Sequence, residues 1–424
     1  MDLSIQIEAS LVPIFAVFIV SRLMMAPTCV WLAGGSKMEL LARAAAHRSS
    51  ARDTLQESTG TDQTAVTLSI PTRLRPKRRP DPVVHRIDTR PLDIGADEIV
   101  AVGKFRNEML RLPDFLRHHR RLGIQHFLAI DDRSEDGTRE FLLDQPDVHV
   151  FEIREPFAES SGGARWTSAV LDQFAPGRWG LTLDADELFV YPGYESFDLR
   201  RLCRYLDSTG ADCMTAEMVD MYPRWLGGPE RYRAGESLVA FCPYFDSDTY
   251  VKRRRRGFPM NYLVGGARAR LFYDEPMPPK IALYGTLVQL LEPYGLDRLL
   301  PAVNIARWQP PLLTKVPLAR WLPGRRHVAA GHVMAPPGKP GDVTGVLLHF
   351  KFLHDFTDKV AIAVREGNYY LGSIEYQRYA ERLAQDRSFE LTYPNSRIYQ
   401  SPDDLVSCGL MRLSPAYQAA TRQP

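Results

Sequence analysis

Two carboxylates spaced i, i+2 stand where an apolar run ends: Trp179-Gly180-Leu181-Thr182-Leu183-Asp184-Ala185-Asp186-Glu187-Leu188-Phe189-Val190. On an extended backbone alternate side chains share a face, so Asp184 and Asp186 can face one divalent cation. Two more runs end in acid. Phe127 to Ile130 leads into Asp131-Asp132, and Thr215 to Val219 leads into Asp220. Carboxylates at several strand ends, on the edge where open α/β sheets bind ligands, suit a hard cation such as Mg²⁺ or Mn²⁺ carrying a diphosphate. Bound there, the cation neutralises a leaving group as a Lewis acid. Lys315, Lys351 and Arg268 can add positive charge.

The elements needed to position these groups alternate along the chain. A first strand over Glu98 to Gly103 runs into Lys104-Phe105-Arg106-Asn107-Glu108. Apolar residues at helical spacing (Leu112, Phe115, Leu116, Leu122) come next, closed by Gly123. The strand into Asp131, a helix from Thr138 to Leu143, a strand Val148 to Phe151, a helix Arg165 to Phe174 and the strand into Asp184 continue the pattern. Alternation at this spacing gives a parallel, right-handed wound sheet flanked by helices. Further on, Thr215 to Tyr222, Leu313 to Leu318 and Leu347 to Phe352 read as strands, and Gly265-Gly266 as a turn entering another. Asp358 to Gln385 reads as one amphipathic helical stretch. Lys252 to Arg256 reads as a solvated charged loop. Trp166, Trp179 and Trp321 are core residues by size, and Asp136-Gly137 is a turn signal that can cap a helix. Neither Gly-x-Gly-x-x-Gly nor a Walker-type Gly-Lys-Ser/Thr is present, which argues against dinucleotide and P-loop enzymes.

The chain has 424 residues, 45% hydrophobic and 25% charged, enough for one large or two ordinary domains. A net charge of +2 argues against nucleic acid binding by bulk electrostatics. Five scattered cysteines without a Cys-x-x-Cys pair point to a reducing compartment. Residues 1–43 hold an apolar segment, Leu11 to Ala33, interrupted by Arg22, Pro13 and Pro27. A mid-span arginine costs roughly 2.5–3.5 kcal/mol on insertion scales. Basic residues follow the segment and acidic ones precede it, so if it inserts, the remainder is cytoplasmic, on the inner face of the membrane. An interfacial segment, or an upstream extension with Met38 as the true start, is the other reading. Residues 44–82 form a polar, basic linker, ending in Arg73 to Pro80, that can lie on anionic lipid. The folded domain spans 83–424.

Strand, Arg106-Asn107-Glu108, helix, strand, Asp131-Asp132-x-Ser134-x-Asp136-Gly137-Thr138 and then Leu183-Asp184-Ala185-Asp186-Glu187, in this order, resemble family 2 glycosyltransferases of the GT-A fold. The subgroup it most resembles also carries Leu313-x-Lys315-Val316-Pro317-Leu318-x-x-Trp321 and Leu348-His349-Phe350-Lys351. The similarity covers about Ile99 to Gly409. The resemblance implies a nucleotide-diphosphate-sugar donor, with Asn107, Glu108, Asp131 and Asp132 lining the nucleoside pocket. Asp184 and Asp186 would hold ribose and metal, His349 would complete the metal shell, and Lys315 and Lys351 would lie near the diphosphate. The acceptor would be a glycan or a lipid-linked sugar, and transfer would invert. Neither a Glu-Asp pair nor Gln-x-x-Arg-Trp stands downstream, so the base falls to Asp220 first and Glu217 second. Taken alone, His349 between two apolar neighbours reads as a packed histidine, and His332 is a rival for its role. Two other functions remain, the first on the Asp-x-Asp strand end and the second on the basic linker and Lys252 to Arg256. One is a haloacid-dehalogenase-type phosphatase with Asp184 as nucleophile, although Leu188 stands where that site prefers Thr or Val. The other is a non-catalytic membrane-associated binding protein.

Overall fold

The computed structural model describes residues 81–254, 261–273 and 310–422. The chain divides into a unit of residues 1–70 and a unit of residues 71–424. The first lies outside the described residues, and with it the apolar segment and most of the linker. Among the described residues no helix is long and apolar enough to cross a membrane.

The described part is mixed α/β, with a central, largely parallel sheet flanked by helices. Its main strands are β1 (Val84–Arg86), β2 (Val100–Phe105), β3 (His126–Asp131), β4 (Val148–Ile153), β5 (Trp179–Asp184), β6 (Glu187–Val190), β7 (Cys213–Tyr222), β8 (Thr314–Arg320) and β9 (Gly345–His349). Across the sheet they run β1-β4-β3-β2-β5-β8-β7-β9-β6. The block β4-β3-β2-β5 is parallel throughout, as the alternating strand and helix segments require. Strand β8 enters antiparallel between β5 and β7, and β9 returns parallel to β7. Helices that bear on the site are α1 (Leu112–Arg121), α2 (Thr138–Asp144), α3 (Ala164–Phe174), α4 (Gly266–Phe272), α5 (Phe356–Glu366) and α6 (Tyr370–Gln385).

Period-two alternation divides the core between the two faces of the sheet. Val100, Val102, Leu128 and Ile130 pack with Trp166, Val170 and Leu171 of α3. The residues between them, Ala101, Phe105, Phe127 and Ala129, pack with Leu112, Phe115 and Leu116 of α1. With both faces covered, every residue of β9 is buried, which explains its uninterrupted apolar run. Trp166, Trp179 and Trp321 are all core residues.

Four local expectations change. Gly265 and Gly266 do make a turn, with φ of 115° and 75°, but it leads from a strand (Asn261–Gly265) into helix α4 rather than into a strand. A Cβ on Gly265 would run into the backbone of Thr249, so the turn needs glycine there. The basic run is not a loop at its start: Tyr250–Arg254 is a strand paired with Asn261–Gly265, while Arg255 and Arg256 lie outside the described residues. The C-terminal helical stretch is two helices, because Gly367 takes the left-handed conformation (φ 62°) and ends α5. Strand β9 ends at His349, so Phe350 to Phe352 are not strand.

Candidate active site

Sheet register brings the acidic strand ends together. Phe105 of β2 pairs with Asp131 of β3, and Lys104, one residue earlier, pairs with Asp184 of β5. On the other side, His349 of β9 lies opposite both Asp220 of β7 and Glu187 of β6. Asp131, Asp184, Asp220 and His349 therefore share one edge of a single sheet.

Each oxygen of Asp184 meets an ammonium group. Lys104 Nζ donates to Oδ1, and Lys315 Nζ donates to Oδ2 at 2.7 Å. Lys315 also donates to Glu187 Oε1 at 2.6 Å, and the other oxygen of Glu187 accepts the Asp184 amide. Lys315 comes from β8, whose register shifts between Lys315 and Leu318. That bulge contains Pro317, which has no N–H to give a ladder and so belongs where pairing is interrupted. Burial pushes the Asp184 carboxyl up, but the two lysines outweigh it and hold it well below the usual carboxylate range. Glu187, 1% exposed, stays above its ordinary value because burial outweighs Lys315.

Asp186 meets histidine instead. His349 Nε2 is 3.1 Å from Asp186 Oδ2, and its Nδ1 is 2.7 Å from Asp220 Oδ1. Arg268 of α4 closes the chain: its Nε is 2.8 Å from Asp220 Oδ1 and its Nη1 is 3.2 Å from Glu375 Oε1 on α6. Burial lowers the His349 pKa, but Asp186 more than compensates and the net direction is upward. Asp220 goes down, against burial, because Arg268 and His349 both face it. Asp220 is 1% exposed and engaged on both sides, so the geometry makes it a support for His349 and not a base within reach of an acceptor. Glu217 is half-buried and engaged: Thr314 Oγ1 donates to it at 2.6 Å, and burial pushes its carboxyl up to about 7. The rival histidine, His332, faces the Thr314 carbonyl at 2.9 Å and does not join the cluster.

The first two motifs hold each other in place. Three successive amides after β2 donate into the turn after β3: Asn107 N to Ser134 Oγ, Glu108 N to Thr138 Oγ1 and Met109 N to Asp136 Oδ2. Asn107 Oδ1 returns the contact by accepting from the Glu135 amide at 2.8 Å. Asn107 sits at φ 55°, a conformation asparagine tolerates better than most residues. Asp136 does more than form a turn with the Thr138 amide, since its second oxygen ties the two strand ends together. Asp131 is bound by Arg139 Nε at 2.7 Å and Asp132 by its neighbour Arg133 at 2.6 Å. Both aspartates are buried, and the arginines that bind them, Arg133 and Arg139, line an open cavity of about 510 Å³ with Ser134 and Glu152. Glu108 faces inward, with Lys359 on Oε1 and Arg111 on Oε2. Lys351 lies over the Tyr376 ring, 4.8 Å from its centre; against burial, His349 and then Lys351 hold the Asp186 carboxyl below its ordinary range.

The donor set limits how a cation could be held. Among the described residues no group of three or more His, Cys, Asp or Glu side chains forms a metal cage. Both Asp184 oxygens belong to lysines, so that residue is not a ligand in this arrangement. Asp186 Oδ2 and His349 Nε2 do face each other, and Asp220 fixes the histidine through the opposite ring nitrogen, the usual support of a metal-binding imidazole. Two protein ligands suit Mg²⁺ or Mn²⁺, which commonly take their remaining oxygens from phosphate and water.

Sequence reasoning overlooked Lys104, Glu187 and Glu375. Lys104 carried a readable signal, a lysine at the carboxyl end of the strand beside the Asp-x-Asp strand. Glu375 carried none, because only packing brings α6 to this edge.

No protein-family model and no curated protein matches the chain. Among solved structures, similar ones include a UDP-glucose pyrophosphorylase from Acinetobacter baumannii at 13% identity and TM-score 0.22, covering 30% of this chain and 57% of that one. A glucose-1-phosphate thymidylyltransferase described as putative, from Bacillus anthracis, shows 10% identity and TM-score 0.22 over 30% and 56%. A UTP-bound UGPase from Acinetobacter baumannii shows 11% identity and TM-score 0.24 over 76% and 92%. This chain thus spans little more than half the length of the first two.

Proposed function

We propose that the chain is a metal-dependent, inverting glycosyltransferase of the GT-A type. It moves a sugar from a nucleotide-diphosphate donor to a glycan or lipid-linked acceptor. The observation that carries this reading is the pair Asp186 and His349, oriented by Asp220, beside two lysines that converge on Asp184. The ordered motifs that resemble family 2 glycosyltransferases support it independently.

In this reading Asp186 and His349 hold Mn²⁺ or Mg²⁺, and Asp220 keeps the imidazole turned toward it. When bound, the cation offsets charge on the departing diphosphate. Lys104 and Lys315 hold Asp184 at the ribose and lie beside the diphosphate, with Lys351 on the other flank. Asn107, Glu108, Asp131 and Asp132 shape the nucleoside pocket, the latter three through the arginines and the lysine they bind. Residues 1–43 attach the enzyme to the inner face of the membrane, where a lipid-linked acceptor is presented.

A thermal-shift comparison of UDP, GDP and CDP with and without Mn²⁺ tests the reading. One nucleotide should raise stability by a few kcal/mol at saturation, since a ligand bound only to the native state stabilises by mass action. Asp186→Ala should abolish the Mn²⁺-dependent part while the fold survives. Unchanged nucleotide affinity in that variant would remove the proposal. Phosphate release from a generic phosphate ester would favour the phosphatase alternative.

A further inference from the structure

Resting on the transferase reading, we propose that Glu375 takes the proton from the acceptor hydroxyl. Most other carboxylates of the rim are fully committed. Asp184 is divided between Lys104 and Lys315, Glu108 between Lys359 and Arg111, and Glu366 makes a two-pronged pair with Arg106. Asp220 is sealed in the interior, Glu217 accepts from the Thr314 hydroxyl, and Asp186 faces His349.

Glu375 differs in how its two oxygens are used. Oε1 accepts from Arg268 Nη1 at 3.2 Å and from the Tyr379 hydroxyl, and Lys351 Nζ lies 4.0 Å away. Among the described residues nothing donates to Oε2, and the side chain is 29% exposed. One oxygen is thus clamped and the other open, the arrangement a positioned base needs. Helix α6 stands over the same rim as the proposed cation pair. The Tyr376 hydroxyl, one residue on, is pushed up first by burial and then by the carboxylates of Glu375, Asp186 and Glu108. The groups facing Glu375 are Arg268 from α4, Tyr273 just beyond it, Lys351 after β9, and Tyr376 and Tyr379 on its own helix. Burial raises the Glu375 carboxyl, but Lys351 and Arg268 outweigh it and keep it ionised at neutral pH.

The step balances. The acceptor oxygen forms a bond to the anomeric carbon of the donor. The bond from that carbon to the diphosphate oxygen breaks, and its electron pair leaves with the diphosphate. The hydroxyl proton passes to Glu375 Oε2.

The test uses the full chain, with binding of UDP and Mn²⁺ by thermal shift and nucleotide release from UDP- and GDP-sugars in the presence of simple methyl glycosides. Glu375→Gln should keep UDP affinity within about threefold and lower turnover by roughly 10²–10⁴, the usual contribution of a general base. Glu375→Asp should turn over at an intermediate rate. Wild-type turnover in Glu375→Gln overturns the proposal. So does a parallel loss of UDP affinity in both variants, which would mark a structural role. A wild type that neither binds a nucleotide diphosphate nor releases one from any sugar donor removes the transferase reading instead, and the proposal with it.

Discussion

His349 and Asp220 sit opposite each other on adjacent parallel strands and share a hydrogen bond of 2.7 Å, which turns the second ring nitrogen of His349 toward Asp186. The aspartate near the end of β7 is therefore a device for aiming a histidine. Replacing it with asparagine leaves the shape and changes the hold on the ring. Asp220→Asn should lower Mn²⁺ affinity about 10–100-fold, the usual cost of losing such a support. Isothermal titration of Mn²⁺ in the presence of UDP checks this, and an unchanged affinity would return Asp220 to a purely structural role with Arg268.

Lys315 lies between two carboxylates, one of them almost wholly buried. Methionine at this position keeps the side-chain volume but leaves Glu187 charged and unpaired. Lys315→Met should destabilise by roughly 3–5 kcal/mol, as breaking a buried pair from one side does. The double variant Lys315→Met with Glu187→Gln should recover a good part of that loss. Urea denaturation of wild type, Lys315→Met and the double variant measures both values.

Glu217 gives a pH dependence with a definite sign. Its folded-state value, raised to about 7 by burial, lies above its ordinary 4.5. The folded state thus binds the proton more tightly than the unfolded chain, so stability declines as pH rises from about 4.5 to 7. Glutamine keeps an acceptor for the Thr314 hydroxyl and cannot ionise. Glu217→Gln should match wild type near pH 4 and exceed it at pH 8 by on the order of 3 kcal/mol. Melting temperatures across that range would show parallel curves if Glu217 were ordinary.

Asp136 ties the loop after β2 to the turn after β3. Asp136→Ala leaves the amides of Met109 and Thr138 without that partner. The cost should be about 1–2 kcal/mol, in the range for lost capping bonds. Nucleotide affinity should fall with it, because Asn107 and Glu108 lose their anchor. Loss of stability with affinity intact would separate this loop from nucleotide binding.

Much of this arrangement was legible in the chain itself. Apolar runs ending in acid located the strand ends at Asp131 and Asp184 and placed Asp220 near the end of a third strand. Helix α4 was misread as a strand because two glycines mark a turn and leave the type of the next element open. The break at Gly367 passed unnoticed inside an otherwise helical pattern. Asp220 had the right type and place for a base, yet its neighbour Arg268 comes from a segment 48 residues away, and no local pattern announces such a partner.

Residue type and spacing by themselves determined which side chains stand at the sheet's edge, since strand periodicity and the end of an apolar run are local properties. Tertiary structure alone decided their partners: Lys104 and Lys315 on Asp184, His349 on Asp186, Arg268 between Asp220 and Glu375. Those choices depend on the order of strands across the sheet and on a bulge in β8 that re-aims one lysine. A buried charge is set by the groups packed around it, and chain separation does not predict that packing.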